Sequence, residues 1–445
     1  EFKGGSENND LYNLNFHHTF DEHNKSVIGL KRSEVSFKGN TWVLNREGNS
    51  RNKVILSPGL DSINIEEIVM NNEEREEIML KGQLADSTYK DLELRFKIVS
   101  LNKITPDIKG LALGGEVHGV LNVLQQDEVY LPIGNLKISD FGLNETILGE
   151  LDIGMVGNRD LTEFSVNTRI TDGDQEKLSL MGTILNKSEF PTTDLTARIG
   201  GFPLSPFNAL AEGVLSDIRG EVNGTARISG DLRNLDMDGT LTLNNAGLGI
   251  PYLDVNYNLN PDAQVKLYEQ TFEFVNIGLT DTEHDTRASL GGTIRHVEFK
   301  DWFLNLDVAT RDERFLILNT KYDEDALYYG TAFVNGTGRI YGSTKALNIE
   351  FDGASARGTT LKIPISDVAS VGDYSFINFI EKDQQQQIEI DRALREYEGL
   401  ELKFDLIVTP DAEVEIVVDQ RTGSSLKGTG EGIIFMEINT NGKFN

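Results

Sequence analysis

Strict two-residue alternation of apolar and charged residues is the feature that most restricts the fold of this chain. Every second residue of Leu92–Ile98 is apolar and each residue between is charged, and the pattern returns at Leu400–Leu406. Successive residues of a strand point to opposite faces, so the pattern predicts strands with one dry and one wet face. Shorter examples are Leu304, Leu306 and Val308; Leu347, Ile349 and Phe351; Leu361, Ile363 and Ile365; and Val414, Ile416 and Val418, which are set against Glu413, Glu415 and Asp419.

Turn-forming residues separate the alternating segments. Gly, Asn and Asp accept a positive φ, so their clusters predict tight turns between antiparallel strands at Asp172–Asp174, Asn244–Gly247, Asn335–Gly336 and Asp352–Gly353. A glycine followed by threonine also recurs, which suggests one hairpin-sized unit copied along the chain. These glycines are Gly182, Gly224, Gly239, Gly292, Gly330 and Gly428.

Helical signals are few. A helix is predicted to open at Ser205 with Pro206 in its first turn, and its apolar face would hold Phe207, Leu210, Val214 and Ile218. A second segment, from Asp383 to Tyr397, could be a helix or a loop. The first helix supplies the predicted division into an N-terminal β segment at 1–204, a short amphipathic boundary helix at 205–219, and a C-terminal β segment at 220–445.

The apolar strand faces need a cover. About 30 strands of ordinary length would fit this chain, and open sheets rarely exceed about 10 strands without curling or splitting. With one or two helices as cover, the sheet must close on a dry core or curl into a trough whose apolar lining meets a ligand. Taken alone, the pattern favours the closed core, because apolar faces usually pack against each other.

Charge and cysteine content exclude several functions. The chain has 71 acidic and 42 basic residues, a net charge of -29, which disfavours binding to nucleic acid or to anionic membrane surfaces. It has no cysteine, which excludes disulfides, thiolate zinc sites and cysteine nucleophiles. No apolar run is long enough for a transmembrane helix. Without an initiator Met or a leader, the sequence is expected to be a fragment of a longer chain.

A search for catalytic and metal sites finds no convincing candidate. His17, His18 and His23 lack an acidic partner at a metal-site spacing, and the acidic runs at Asp172–Asp174 and Asp281–Asp285 lack a calcium-loop pattern, so hairpin turns are predicted there. Nucleophile-elbow, zinc-protease, P-loop and dinucleotide fingerprints do not occur. The sequence therefore predicts no enzyme activity, no catalytic residue, no metal and no cofactor.

The glycine repeats carry a more specific resemblance. The stretch Gly220–Gly230 continues into Leu235–Ala246, and the unit returns at Gly336–Gly342. The segment Leu400–Asn445, with Val408–Val414 and the ordered glycines that follow it, is similar to the C-terminal domain of the TamB family. The ordered series resembles TamB, a subunit of the translocation and assembly module, and its AsmA-like relatives. Its asparagine-rich style is similar to Bacteroidetes members.

The resemblance implies an all-β fold: a long, curled, taco-like, antiparallel and repetitive β-sheet groove with an apolar interior and one or two short helices. The family is similar to bridge-like lipid transfer proteins that move phospholipids across the periplasm of Gram-negative bacteria. TamB is also linked to outer-membrane protein assembly with a barrel partner, TamA. The inner-membrane anchor and the segment that meets the TamA-like partner are expected to lie outside this sequence.

With the resemblance added, the trough is favoured over the closed core, and phospholipid acyl chains are the expected ligand. The predicted lipid-binding lining is Leu92, Leu94, Phe96, Leu304, Leu306, Leu347, Ile349, Phe351, Leu400, Leu402, Phe404, Val414 and Ile416. The alternative for each is ordinary strand core. A second hypothesis is a chaperone that pairs an exposed sheet edge with strands of outer-membrane barrels. A third is a β-solenoid polysaccharide-active enzyme or adhesin, for which no polar cleft with clustered acids is seen.

Overall fold

The structure is a computed structural model, and strands dominate it. Of the residues that the structure describes, 76% lie in strands and 3% in helices, which confirms the predicted all-β class. The residues that the structure describes are 2–5, 11–85, 89–105, 111–126, 129–158, 160, 162–186, 190–211, 215–231, 233–298, 301–322, 328–344, 346–364, 400–419, 423–439 and 443–444. The segment from Asp383 to Tyr397 and the predicted strand residue Ile365 lie outside these ranges.

The described residues form 32 strands and three short helical segments. The strands that begin before residue 100 are β1 (Phe2–Gly5), β2 (Leu11–Leu14), β3 (Phe16–Phe20), β4 (Ser26–Leu30), β5 (Ser33–Phe37), β6 (Asn40–Leu44), β7 (Lys53–Leu56), β8 (Ser62–Asn71), β9 (Glu77–Ala85) and β10 (Tyr89–Ser100). Those from there to residue 250 are β11 (Leu113–Gln126), β12 (Val129–Leu143), β13 (Thr146–Gly157), β14 (Glu163–Asp172), β15 (Gln175–Leu185), β16 (Thr192–Pro203), β17 (Ser216–Asp231) and β18 (Asn234–Ile250).

The remaining strands are β19 (Val255–Leu259), β20 (Ala263–Glu269), β21 (Thr271–Asp281), β22 (Arg287–Val297), β23 (Asp301–Thr310), β24 (Phe315–Thr320), β25 (Tyr329–Ser343), β26 (Ala346–Ser355), β27 (Thr360–Pro364), β28 (Leu400–Val408), β29 (Glu413–Asp419), β30 (Ser424–Thr429), β31 (Gly432–Asn439) and β32 (Lys443–Phe444). The helical segments are α1 (Leu101–Ile104) and two 3-10 helices, Ser205–Leu210 and Pro251–Leu253.

The chain forms two compact units. Unit 1 contains residues 1–202 and 224–236, and unit 2 contains residues 203–223 and 237–445. In unit 1, strands β8 to β16 each pair antiparallel with the next strand in sequence. The division at 1–204, 205–219 and 220–445 stays a prediction.

Two strand pairs of unit 2 depart from the antiparallel pattern that the alternation predicts. Strand β26 pairs in parallel with β28, and β27 pairs in parallel with β29, so the sheet is mixed. The other pairings of unit 2 between β18 and β31 are antiparallel in the described residues. Turn residues reveal hairpins, but the parallel pairs join strands that are separated along the chain by residues 365–399, and no local signal marks them.

A line of β-bulges bends the sheet of unit 1. The register shifts between Phe96 and Val99 on β10, at Gly114–Glu116 on β11, and after Ile138 on β12. A bulge adds a residue to one strand and bends it, so bulges in neighbouring strands make a crease. Beside this crease the unit has its core. The core residues are Trp42, Val99, Val117, Ile138, Phe141, Leu148, Leu151 and Ile170, with Leu101 and Ile104 of α1 packed against them.

In unit 2 the strand partners change part-way along the long strands. Strand β25 pairs with β23 and β26 through its C-terminal half and with β24 and β27 through its N-terminal half. Unit 2 has a second core, which contains Val255, Tyr257, Leu279, Ala288, Phe315, Leu316 and Phe333. The Tyr257 hydroxyl donates a hydrogen bond of 2.9 Å to the carbonyl oxygen of Leu316, so its polar atom is satisfied inside this core.

Three of the predicted turns are wrong, and two are confirmed. Asn244–Gly247, Asn335–Gly336 and Asp352–Gly353 lie inside the long strands β18, β25 and β26. Asn245 has a φ of 49°, so the left-handed conformation that suggested a turn is used inside the strand instead. The acidic runs at Asp172–Asp174 and Asp281–Asp285 are hairpin turns, as predicted.

The predicted amphipathic helix is also wrong beyond its first turns. The 3-10 helix ends at Leu210, and Ile218 belongs to strand β17. Asn208 explains the early end, because its side chain binds the backbone of Ile218 twice, through Oδ1 at 2.8 Å and Nδ2 at 2.9 Å. An asparagine that pairs with a neighbouring segment competes with continued helix formation. Val214 lies outside the described residues.

Several of the recurring glycines have a structural reason. Gly182 has a φ of +154°, and a Cβ added to it would lie 2.1 Å from the carbonyl oxygen of Asp194 on the next strand. Gly292 repeats this arrangement with a φ of +112° and a Cβ position 2.2 Å from the carbonyl oxygen of Asn305. Only glycine tolerates both the positive φ and the close approach, so the repeat marks positions where neighbouring backbones come together.

Candidate functional site

The strongest candidate site is the apolar face of each sheet, which the strand register arranges in rows. In unit 1 one row joins Val99, Val117, Ile138, Leu151 and Ile170, each paired with the next across β10 to β14. All five are at most 8% exposed. We call these five residues the sealed row, because α1 and the core residues beside the crease cover them.

Three further rows lie beside the sealed row on the same face, and we call them the lining rows of unit 1. Unlike the sealed row, their described members are half-buried rather than buried, apart from the buried Gly134. The lining rows therefore have an apolar surface that the rest of the unit does not fully cover. They are Phe96, Gly119, Leu136, Ile153 and Thr168; Leu94, Leu121, Gly134, Met155 and Val166; and Leu92 with Val123 and Gly82.

The opposite face of unit 1 carries charged residues and ion pairs, together with exposed apolar residues such as Val156 and Met181. Lys137 contacts Glu150 at 2.6 Å, and Lys81 contacts Glu93 at 3.4 Å. Exposed pairs of this kind contribute little to stability, but they keep this face solvated. The two faces of the sheet therefore differ in charge, as the alternation predicts.

Unit 2 repeats the arrangement with three lining rows of its own. Each row takes one residue from each of β22, β23, β25, β26 and β28. The rows are Ile294, Leu304, Gly342, Leu347 and Leu400; Gly292, Leu306, Ile340, Ile349 and Leu402; and Leu290, Val308, Gly338, Phe351 and Phe404. Eight of the predicted lining residues therefore lie next to one another in these three rows. Leu306 is buried, and the other members whose burial is described are half-buried.

Val414 and Ile416 lie apart from these rows, on strand β29. They pair with Leu361 and Ile363 of β27, so the structure does not bring them beside Leu402 or Phe404. The burial on β29 is the reverse of that predicted from the alternation. Ile416 is 38% exposed and Val418 is 50% exposed, while Glu415 and Val417 are buried.

The buried Glu415 is stabilised by neighbouring cations. Its carboxylate lies 3.2 Å from the Lys362 ammonium and 3.4 Å from that of Lys427. Opposite charges next to a carboxylate offset part of the cost of its burial. Alternation shows which residues share a face, but it does not show which face of a strand is covered.

The sequence interpretation missed most of the lining rows of unit 1, including Leu121, Leu136, Ile153 and Met155. Alternation is present around them, but glycine, threonine and proline interrupt it, as at Gly134 and Thr168. A search for apolar residues two apart that tolerates one glycine would find these segments. Their grouping into rows depends on register, which single-strand patterns do not contain.

Other kinds of site were sought in the described residues. They contain no group of three or more histidines, aspartates or glutamates placed to hold a metal ion. Within the same residues, no helix has the length and apolar character needed to span a membrane.

Comparison with known families adds one finding. Residues 277–445 match the family model described as the TamB C-terminal domain. The matched segment contains β22 to β32, and therefore all the strands that build the lining rows of unit 2. The resemblance seen in the ordered glycine repeats is confirmed over this segment. Comparisons with curated proteins and with solved structures gave no match.

Proposed function

We propose that this chain, whose residues 277–445 match the TamB C-terminal domain, is a non-enzymatic periplasmic protein of the TamB family whose lining rows conduct phospholipids between the inner and outer membranes. The family is linked in general to outer-membrane assembly and lipid transport, and it works with TamA and lipids. It is periplasmic and membrane-anchored in Gram-negative bacteria. Phospholipid acyl chains are the proposed ligand on the apolar face.

One observation carries the proposal: the difference in burial between the sealed row and the lining rows. Ordinary strand core would be as buried as Val99, which is 0% exposed, or Val117, which is 2% exposed. Leu92, Leu94 and Phe96 lie on the same strand and face as Val99, yet they remain half-buried. An apolar surface kept partly uncovered over several strands is typical of a ligand or partner site.

Lipid movement along such rows needs no catalytic residue. The rows run across the strands, and the six strands β9 to β14 that they cross, at about 4.8 Å spacing, would give an apolar strip roughly 24 Å long. Each buried methylene contributes about 0.8 kcal/mol, so a complete acyl chain would be held firmly. A lining of similar aliphatic side chains offers similar binding at each step, so it adds little barrier to sliding. Firm binding and easy movement are therefore compatible.

Photo-crosslinking tests this proposal directly. The chain would be loaded with a phospholipid that carries a photoreactive group in one acyl chain, irradiated, digested, and mapped by mass spectrometry. We expect crosslinks at Leu121 and Met155 on the lining rows. Met181 and Val156 are matched controls, because they lie on the opposite face and are 41% and 49% exposed. Crosslinks concentrated on the control face, or none on either face, would refute the proposed function.

A second candidate function, assembly of outer-membrane barrel proteins, is favoured by the edge of β31. This strand pairs with β28 along its full length, whereas on its other side the described residues pair only Ile438 and Asn439, with β32. Ile433 is 63% exposed and Phe435 is 73% exposed beside this edge. An uncovered edge with apolar side chains can accept an incoming strand by β-augmentation.

Variants of the edge separate the two functions. Lysine at a sheet edge discourages strand addition, so Ile433→Lys and Phe435→Lys should weaken binding of a peptide copied from a barrel strand. The lipid content of the protein should stay unchanged, because neither residue lies on the lining rows. Peptide binding that both variants leave intact would exclude the assembly function at this edge.

A further inference from the structure

The lining rows of unit 2 end in an aromatic cluster rather than in more aliphatic side chains. His296 and Trp302 are paired directly across β22 and β23, on the face that carries Ile294 and Leu304. Their ring centroids are 5.1 Å apart. The Phe272 ring on β21 lies 5.9 Å from that of His296 and 6.2 Å from that of Trp302. We call these three residues the aromatic rim.

The aromatic rim lies at the opposite end of the strands from the covered core. Toward that core, the same face of β23 continues through Leu304 and Leu306 to Val308, which packs against the core of unit 2. In the other direction, only the pair between Val297 and Asp301 separates the aromatic rim from the hairpin end. This face of the sheet therefore begins at the covered core, continues through the aliphatic rows, and ends at the aromatic rim. In that rim, His296 and Trp302 have ring N–H groups.

The chemistry of the rim matches the boundary between hydrocarbon and water. Tryptophan has a large apolar body and one N–H donor, and it is enriched where one end of the ring meets acyl chains and the other meets polar groups. In unit 1, Lys90 is the next residue after Leu92 on the lining face, at the end of β10 distant from the sealed row. A lysine can place its aliphatic stem on apolar surface and its ammonium in a polar layer.

We propose that the half-buried Phe272 and Trp302 of the aromatic rim hold the interfacial part of a bound phospholipid, the glycerol and ester groups, while the acyl chains lie on the aliphatic lining rows. His296 is 1% exposed, so it supports the two rings from within the sheet and does not contact the lipid. This inference rests on the proposed function. It adds an orientation: the headgroup lies toward the hairpin end of β22 and β23, and the chain ends lie nearer the covered core. Trp302 marks the depth of the ester groups.

Tryptophan fluorescence can test this orientation, because the chain has two tryptophans and they occupy different places. Trp42 is 2% exposed in the core of unit 1, and Trp302 is on the aromatic rim of unit 2. In Trp42→Phe, Trp302 is the sole tryptophan. The variant would be loaded with phosphatidylethanolamine brominated either near the ester end or near the methyl end of its acyl chains, and bound lipid would be quantified by mass spectrometry.

We expect a larger loss of Trp302 fluorescence with bromine near the ester end, at equal amounts of bound lipid. An equal or larger loss with bromine near the methyl end would refute the rim assignment while leaving lipid binding intact. The absence of bound lipid would instead refute the proposed function. If Trp42→Phe does not fold, subtraction of the Trp302→Phe signal from that of the wild-type protein gives the same comparison.

Discussion

The ring of Phe351 on β26 lies against Gly338 on β25, where a Cβ added to the glycine would be 3.6 Å from the ring Cδ2 atom. Gly336, two residues earlier on the same face, is more tightly enclosed. Its Cβ position would lie 2.3 Å from the carbonyl oxygen of Asp352 and 2.6 Å from the Cα atom of Gly353. Two glycines of one strand therefore face very different amounts of space.

This difference predicts opposite outcomes for two alanine substitutions. Gly336→Ala forces the backbones of β25 and β26 apart and should lower the free energy of unfolding by about 1–3 kcal/mol. Gly338→Ala makes an ordinary contact with Phe351 and should leave stability nearly unchanged. Urea unfolding followed by circular dichroism measures both. Equal effects of the two substitutions would contradict the close packing of β25 on β26 described above.

The position of α1 depends on a buried carboxylate. Glu76 is 2% exposed and accepts a hydrogen bond of 2.9 Å from the Ser100 backbone N–H, and the Lys103 ammonium lies 3.1 Å from it. Burial alone would raise the pKa of Glu76, but the hydrogen bonds from Ser100 and Lys103 outweigh it, and the pKa lies below its ordinary value.

Glu76→Gln should therefore lower the free energy of unfolding by about 2 kcal/mol, the scale of hydrogen bonds to a charged group. Glu74→Gln is the matched control, because Glu74 also contacts Lys103 but its side chain is 68% exposed. The control should change stability by less than about 0.5 kcal/mol. Since the folded-state pKa of Glu76 is lowered, its contribution is lost as the pH falls through that value. If both variants unfold at the same urea concentration, Glu76 does not anchor α1.

His296 should make stability depend on pH near neutrality. Burial lowers the pKa of His296 below its ordinary value of 6.5, so the unfolded chain takes up the proton more readily than the folded one. Its contribution is fully present above the ordinary value and is lost as the pH falls below it. The urea midpoint of the wild-type protein should fall from about pH 7.5 to about pH 5.5, and His296→Gln should flatten this fall. The exposed His23 supplies the control: the curve for His23→Gln should follow the wild-type curve.

The sequence interpretation was most successful for the strand faces, because burial of one face imposes a two-residue period on the residues themselves. Leu92, Leu94 and Phe96 are placed together on the lining face for this reason. The grouping of Leu304 with Leu347 and Leu400 depends in addition on register and on a parallel pairing. No short stretch of sequence contains that information, so the rows could be seen only in the structure.

The failures have a common physical cause. Asn245, Gly336 and Gly353 were interpreted as turn residues because they tolerate unusual backbone geometry and close approach. A bulged or tightly packed strand needs the same tolerance. These residues therefore do mark unusual backbone geometry, but here that geometry lies inside strands and not in turns. The reversed burial of β29 is of another kind: Lys362 and Lys427 allow Glu415 to be buried, and that compensation comes from other strands.

The measurement that tests the central claim most directly is the lipid content of matched variants. The protein would be purified in mild detergent, cleared of excess lipid, and examined by native mass spectrometry together with Leu304→Asp and Asn305→Asp. Both variants add one negative charge to adjacent positions of β23, the first on the lining face and the second on the opposite, exposed face. We predict bound phospholipid on the wild-type protein and on Asn305→Asp, and its loss from folded Leu304→Asp. A lipid-free wild-type protein, or equal lipid on both variants, would contradict the account.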